Sequence, residues 1–316
     1  MGEFDLIARF FDRGPARVAE LGIGDDCALL GSIAAGARLA VTSDMLVGGR
    51  HFLLDADPVG IGHKTLAVNL SDLAAMGAKP VGFTLALALP EPDEAWLQGF
   101  SKGLFELADR FGCELLGGDT TRGPLNLCVT AFGEVPAQAA LRRDRAQPGD
   151  DLWVSGELGG AAYALGELLA GAGQTLAQSA RARLERPEPR VGLGMALRHL
   201  ARAAIDLSDG LVQDLGHLCE RSRVGALIDW PSIPLDPALS ALDPGRQQSL
   251  SLSGGDDYEL LFTAAQDNRQ AIAALAGRHG LALTCIGRIE AGEGVRILDS
   301  RGIAITLPHG GFDHFA

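Results

Sequence analysis

The apolar positions of the chain switch between helical and strand spacing often enough to predict short elements in alternation along its whole length. Residues 3–13 carry an amphipathic helical pattern closed by Gly14, and the loop after it ends in the run GIGDDCA. Residues 27–30 and 38–42 read as strands. The second leads into Thr42, Ser43 and Asp44, where the pleat ends and two of the three oxygen-bearing side chains can point the same way. Asp57 and Pro58 open a helix that reaches about residue 69 and hands over to a second, short one. There Ser71 caps the first turn, residues 73–76 are good helix formers, and Gly77 with Pro80 marks the stop, which places Asp72 at a helix amino end. Residues 81–89 predict a long strand, 93–111 a helix, 113–116 a short strand ending at Gly117, Gly118 and Asp119, and 126–135 a strand that leaves this first unit.

From 136 to 149 the composition changes to Ala, Arg, Gln and Pro, with Arg142, Arg143 and Arg145 inside the stretch. The expected division is therefore an amino-terminal domain over 1–136, a linker over 137–149 and a carboxy-terminal domain over 150–316. The second domain opens with a strand at 151–155, the turn GELGG and a helix at 161–170. Such a turn could cradle phosphate or serve tight strand-to-helix packing. Helices continue to 202, a strand covers 203–207, and Ser208 and Asp209 stand at the start of another helix. NLSDLA and DLSDGL thus share a Leu-Ser-Asp core at a helix start in both halves, a hint of two related units. Strands at 258–263 and 282–289 and a Gly-rich tail complete an α/β (α+β) chain of two domains.

Composition narrows the function. The 316 residues, 47% apolar, suffice for a core in each of two domains. A net charge of −13 without a run of Lys and Arg argues against a nucleic-acid groove or an anionic membrane surface. The longest apolar run, 81–89, is half a membrane span, and Glu3 and Asp5 stand where a signal peptide needs basic residues. The five cysteines are scattered without a CxxC pair, so reduced thiols and a cytoplasmic location are expected.

Familiar catalytic signatures are absent. GIGHKT at 60–65 lacks the upstream Gly of a phosphate loop, and GIGDDC puts Cys27 in place of the third Gly of a dinucleotide fingerprint and turns two acids toward a pyrophosphate. No GxSxG elbow precedes a helix, and no HExxH spacing occurs among the seven His residues. What remains is carboxylates: Asp26, Asp44, Asp72, Asp119, Asp206 and Asp209 all fall at expected turns or element ends. One such Asp is ordinarily a cap or dipole partner, but six together fit that role poorly. Converging acids repel and raise one another's pKa values, so a cluster of them implies bound cations. Oxygen donors without Cys or His select hard ions such as Mg²⁺, which leaves positions open for water and substrate phosphate. Nucleotide-dependent phosphoryl transfer is the chemistry this favours.

In this order and spacing, GIGDDCALL, the TSD run followed by His51, NLSDLAAMGAKP, LGGDTTRGP, AIDLSDG, SGGDDYEL and the closing GFDHF resemble the thiamine-monophosphate kinase family of the aminoimidazole-ribonucleotide-synthetase-like superfamily. The resemblance covers nearly the whole chain. It implies transfer of the ATP γ-phosphoryl group to thiamine monophosphate, giving thiamine diphosphate, with several Mg²⁺ ions. It also implies a homodimer whose amino-terminal domains join their sheets into a β-barrel. By motif, Asp26, Thr42, Ser43, Asp44, Asp72, Asp119, Asp206 and Asp209 are the implied metal ligands. Gly118, Arg143 and Ser208 fall where the family contacts ATP, and His51, Asp256 and Phe312 where it holds the thiamine substrate. The family has Glu at the position of Asp256, so this side chain is one methylene shorter.

The chemistry is consistent with that implication. The second pKa of a phosphate monoester lies near ~6, so the attacking oxygen is ionised at neutral pH and needs no general base. The barrier is bringing two anions together, and no catalytic residue beyond the metal-holding ones is expected. The rivals are a purine-pathway cyclo-ligase of the same superfamily, a two-metal phosphohydrolase and a non-catalytic nucleotide sensor.

Overall fold

The computed structural model describes residues 2–307 apart from 15, 16, 22, 24–26, 32, 174 and 175. The chain divides into two compact units, Met1–Leu73 with Ala78–Gln138, and Ala74–Gly77 with Ala139–Ala316. Among the described residues no helix is long and apolar enough to cross a membrane.

The first unit contains α1 (Glu3–Phe10), β1 (Ala19–Leu21), β2 (Leu29–Leu30), β3 (Ala37–Val47), α2 (Pro58–Ala75), β4 (Lys79–Leu89), α3 (Glu94–Phe111), β5 (Glu114–Arg122) and β6 (Asn126–Pro136). β1 and β2 pair with each other, and the rest form an open four-stranded sheet in the order β3-β6-β4-β5. Only β4 and β5, joined through α3, run parallel. Helix α3 forms where its signals are strongest. The Asp93 carboxylate accepts from the amides of Ala95 and Trp96 at 2.9 and 3.2 Å, and Gly112 closes the other end at φ 61°. Its apolar stripe buries Leu97, Phe100, Leu104 and Leu107.

Three expectations for this unit are corrected. Strand β5 does not end before Gly117 but stays paired with β4 as far as Arg122, which puts Asp119 inside the strand. Strand β3 does not stop at Thr42 but pairs with β6 residue by residue from Ala37 to Val47, so Thr42, Ser43 and Asp44 lie in mid-strand. The second, short helix does not exist: α2 runs unbroken to Ala75 and Asp72 sits in its last turn. Ser71 is not a cap but is wholly buried within the helix. The polar run was misleading because such side chains can bond back along their own helix instead of ending it. The Thr65 hydroxyl donates to Ile61 O at 2.7 Å and the Asn69 amide to Thr65 O at 3.2 Å. The stop at Gly77 holds, at φ 65°.

The second unit contains β7 (Asp151–Ser155), α4 (Gly160–Leu169), α5 (Gln178–Glu185), α6 (Val191–Leu197), β8 (Ala201–Asp206), α7 (Leu211–Ser222), β9 (Gly225–Asp229), α8 (Pro244–Ser253), β10 (Leu260–Ala264), α9 (Arg269–His279), β11 (Leu283–Glu290) and β12 (Gly294–Leu298). Its six strands lie in the order β12-β9-β11-β7-β10-β8, and only β12 and β9 are parallel. Leu152 and Val154 of β7, Ile205 of β8, Leu261 of β10 and Ile286 of β11 share one core cluster with Leu211, Leu215 and Leu218 of α7. Ala146, in the segment 139–149, belongs to the same cluster. Ala139, Leu141 and Ala146 are buried, and Ser222 Oγ joins α7 to it by donating to Arg143 O and accepting from Ala146 N. The Leu-Ser-Asp runs are not locally equivalent: one lies in the last turn of α2, the other precedes α7, whose first residue is Leu211.

Candidate functional site

In the first unit the pleat separates the TSD side chains. Thr42, Asp44 and Leu46 share a face with their β6 partners Ala131, Val129 and Leu127, each of which is fully buried. Ser43 projects from the other face, where its hydroxyl bonds Val129 O at 3.1 Å and the Thr130 hydroxyl at 3.0 Å. On the covered face the Thr42 hydroxyl donates to Asp72 Oδ2, and Asn69 Oδ1 accepts from Asp44 N at 3.1 Å. The end of α2 is thus tied twice to the middle of β3, which brings Thr42, Asp44 and Asp72 together. Asn69 was not legible as a site residue, because its task is only defined once β3 lies beside α2.

Asp72 stands at the wrong end of its helix for a cap. A helix carboxyl end carries partial negative charge and offers carbonyls, so a carboxylate there is disfavoured without a hydroxyl, a cation or both. Asp119 lies on β5 opposite Ala86, exposed and on the sheet edge remote from β3. Gly118, beside it, has φ 152°, and a Cβ would lie 1.9 Å from Leu85 O, so only glycine lets β5 approach β4 there. His51 follows β3 in a turn, where its Nδ1 accepts from Val47 N at 2.9 Å. In the neutral ring the proton is thereby placed on Nε2. Asp26 and Phe312 lie outside the described residues.

In the second unit Asp206 is buried at the end of β8, and Ser208 and Asp209 occupy the loop before α7. Three consecutive amides of that loop, Ser208, Asp209 and Gly210, donate to Asp214 Oδ2 at 3.1 Å each, and Gln213 Nε2 donates to Asp209 Oδ2 at 3.2 Å. Burial pushes the Asp214 carboxyl up to about 7, aided by the charge of Asp209 and opposed by the three amides. The neighbouring segment Gly255–Tyr258 clamps the loop from outside: Asp256 N donates to Ser208 O at 2.9 Å and Tyr258 N to Leu207 O at 2.8 Å. Asp256 and Tyr258 take φ of 69° and 50°, uncommon for residues with side chains, and the Tyr258 hydroxyl donates to Asp256 Oδ1 at 3.1 Å. Arg143 is exposed, close in sequence to Arg145, which with Arg202 lines a concavity of about 410 Å³.

The GELGG turn is resolved in favour of packing. Its Gly159 amide donates to both oxygens of Asp257 at 3.1 and 3.0 Å, and a Cβ on Gly160 would lie 2.5 Å from Asp236 Oδ2. Loss of water raises Asp257 well above the usual carboxylate range; the Gly159 amide opposes this, and the charges of Glu259 and Asp256 add to it. Beside it the buried Glu259 accepts a bidentate pair from Arg190 and a hydrogen bond from Ser155.

Among the described residues no three His, Cys, Asp or Glu side chains form a group that could hold a metal ion. Within the first unit the Thr42 hydroxyl meets Asp72, with Asp44 on the same face of β3, and within the second Asp206 and Asp209 stand at the end of β8 and in the loop that follows. All of these are hard oxygen donors, the set that suits Mg²⁺.

Residues 24–135 match the family model described as AIR synthase related protein, N-terminal domain, and residues 147–300 that described as AIR synthase related protein, C-terminal domain. The whole chain is 48% identical to the thiamine-monophosphate kinase of Salmonella typhimurium strain LT2, of which 98% is covered. The chain belongs to the thiamine-monophosphate kinase family. Among solved members of this family, thiamine-monophosphate kinase from Stenotrophomonas maltophilia K279a is 51% identical with a TM-score of 0.86, and 96% of each chain is covered. The structure of AaThiL complexed with AMPPCP and TMP is 31% identical with a TM-score of 0.79, covering 99% of this chain and 97% of that one.

Proposed function

We propose that this chain is an ATP-dependent kinase that phosphorylates thiamine monophosphate to thiamine diphosphate. The observation that carries this reading is the junction of β3 and α2, where Thr42 and Asp44 meet Asp72 at a helix end that disfavours negative charge. In a chain of this family, such oxygen donors are suited to hold Mg²⁺ beside a triphosphate. The proposed metal-holding set is Asp26, Thr42, Ser43, Asp44, Asp72, Asp119, Asp206 and Asp209, with Ser43 contributing otherwise than through its hydroxyl, which is turned to the opposite face. When bound, Mg²⁺ supplies charge neutralisation between two anionic phosphates.

The protein's own share of the mechanism is positioning. Thr42 and Asn69 hold Asp72 and the Asp44 backbone in place, and Gly118, Arg143 and Ser208 are the proposed ATP contacts. His51, Asp256 and Phe312 are proposed to receive the thiamine phosphate, His51 as a donor through Nε2–H. The acceptor oxygen is ionised without help, so no side chain is required to remove a proton. This fits a site with no nucleophile–base pair among its proposed members.

The working form is proposed to be a homodimer in the cytoplasm. Strand β3 exposes Leu39, Val41 and Met45 at 44%, 56% and 54% on the open face of its sheet, an apolar stripe suited to a second copy. Asp44 and Asp119 ride on the two edge strands, and closing two sheets with β3 of one copy beside β5 of the next would join them. Incubation with ATP, Mg²⁺ and thiamine monophosphate tests the reaction. Thiamine diphosphate with ADP is expected. Free phosphate in its place would make the protein a hydrolase, and binding without turnover a sensor.

A further inference from the structure

Asp214 takes no part in the set above, yet it is the buried centre of the loop that carries two members of that set. Its carboxylate is only 3% exposed and spends one oxygen, Oδ2, on the amides of Ser208, Asp209 and Gly210. Three consecutive amides before a helix would otherwise form a receptor for an anion such as phosphate. Here that receptor is filled by the protein itself. The outer side of the same loop is fixed by backbone: Ser208 O accepts from Asp256 N, and a Cβ on Gly255 would lie 2.5 Å from that oxygen. Gly210 at φ 121° has Ser253 O at 2.9 Å from a would-be Cβ, so the turn cannot relax by moving outward. With its amides held inward, the loop can offer Ser208 and Asp209 only by their side chains, and Gln213 sets the Asp209 carboxylate.

We infer that Asp214 is a positioning residue that turns the Ser208–Gly210 loop from an anion receptor into a holder of cation-binding oxygens. This rests on the reading that Asp209 serves the Mg²⁺–nucleotide site. It adds a residue that never touches the substrate and acts by fixing the direction of its neighbours.

The test compares wild type with Asp214→Ala and Asp214→Asn in the full chain. Amide exchange across residues 207–212 is followed by mass spectrometry, and melting temperature is followed against MgCl₂ with AMPPCP as the nucleotide. In Asp214→Ala the loop amides should exchange about tenfold faster or more, the loss expected for one hydrogen bond to a charged group. The MgCl₂ concentration at half-saturation should rise about tenfold or more, as for removal of other second-rank partners of metal ligands. Asp214→Asn, which keeps an acceptor oxygen without the charge, should restore most of the exchange protection and show a smaller shift in the same direction. If Asp214→Ala does not fold, the Asn variant decides by that smaller shift. Unchanged half-saturation in a folded variant, or loop amides in Asp214→Ala as protected as in wild type, would overturn the inference. Should the wild type ignore Mg²⁺ and AMPPCP altogether, the functional reading fails, and the exchange arm alone then decides whether Asp214 holds the loop.

Discussion

Replacing Gly103 by Ala should destabilise the protein although alanine is the better helix former, and the sign of the effect tests the packing of the first unit. Gly103 lies in the middle of α3, where a Cβ would sit 1.9 Å from Val59 O and 3.1 Å from His63 N of α2. The reciprocal position on α2, Gly62, has Phe100 O only 2.0 Å from its would-be Cβ. The obstacles are backbone atoms, so no side chain can rotate aside. The two helices must move apart by about 1.5 Å for the new methyl to reach ordinary contact. Such overpacking costs about 1–3 kcal/mol, against a gain of about 1 kcal/mol in helix propensity. With rigid obstacles on both sides we expect the upper part of that range and a net loss of about 2 kcal/mol. That is a fall in melting temperature of about 4–8 °C. Gly166→Ala in α4, where nothing lies within 4 Å of the new methyl, serves as the control and should raise it by a few degrees. Calorimetry on both variants decides. A melting temperature for Gly103→Ala at or above wild type would refute the close helix contact. Because α2 carries Asn69 and Asp72, the same displacement should lower turnover in whatever fraction remains folded.

Asp72→Asn should leave the fold and the oligomeric state intact while lowering turnover at limiting Mg²⁺ by about tenfold or more, measured by thiamine diphosphate formation; full activity would remove Asp72 from the set. Burial raises the Asp257 carboxyl in the folded chain, which therefore binds its proton more tightly than the unfolded chain does, so its contribution is complete at low pH and is lost as pH rises through the raised value. Asp257→Asn, neutral throughout, should therefore gain in melting temperature relative to wild type between pH 5 and pH 9 (about four pH steps of scanning calorimetry), and parallel curves would contradict the shift. Val41→Asp, placed on the apolar stripe of β3, should give monomers by sedimentation velocity, whereas a monomeric wild type would end the dimer proposal.

What could be read from residues alone were elements whose signals are local. Asp93 and Gly112 bracket α3 because a cap and a left-handed stop act within one turn. Strand β7 was bounded correctly at Asp151–Ser155 by the turn residues around it. The errors fell where tertiary packing overrode local preference. Ser71 and Asp72 carry the signature of a helix start, but the burial of Ser71 and the back-bonding of Thr65 and Asn69 carry α2 past it. Strand β3 continues through Thr42, Ser43 and Asp44 because eleven consecutive partners on β6 hold it. The residues of the proposed site were visible as a set of acids, yet the partners that orient them were not: Asn69 acquires its role only because β3 lies beside α2, and Asp214 from the way the loop just before its own helix folds over it.

Two carboxylates in this chain, Asp214 and Asp72, stand at opposite ends of their helices. Asp214 lies in the first turn of α7, and it is satisfied by three amides of the loop that leads into the helix. Asp72 lies in the last turn of α2, where the helix offers carbonyl oxygens and adds to the negative field instead of opposing it. The Thr42 hydroxyl donates to it, and the proposed Mg²⁺ would oppose that field with full positive charge. Sequence reading placed Asp72 at a helix start, where an amide-capped acid needs no metal and the bland explanation is the stronger one. The structure places it at the opposite end, where the proposed Mg²⁺ would offset the field of the helix as well as the carboxylate.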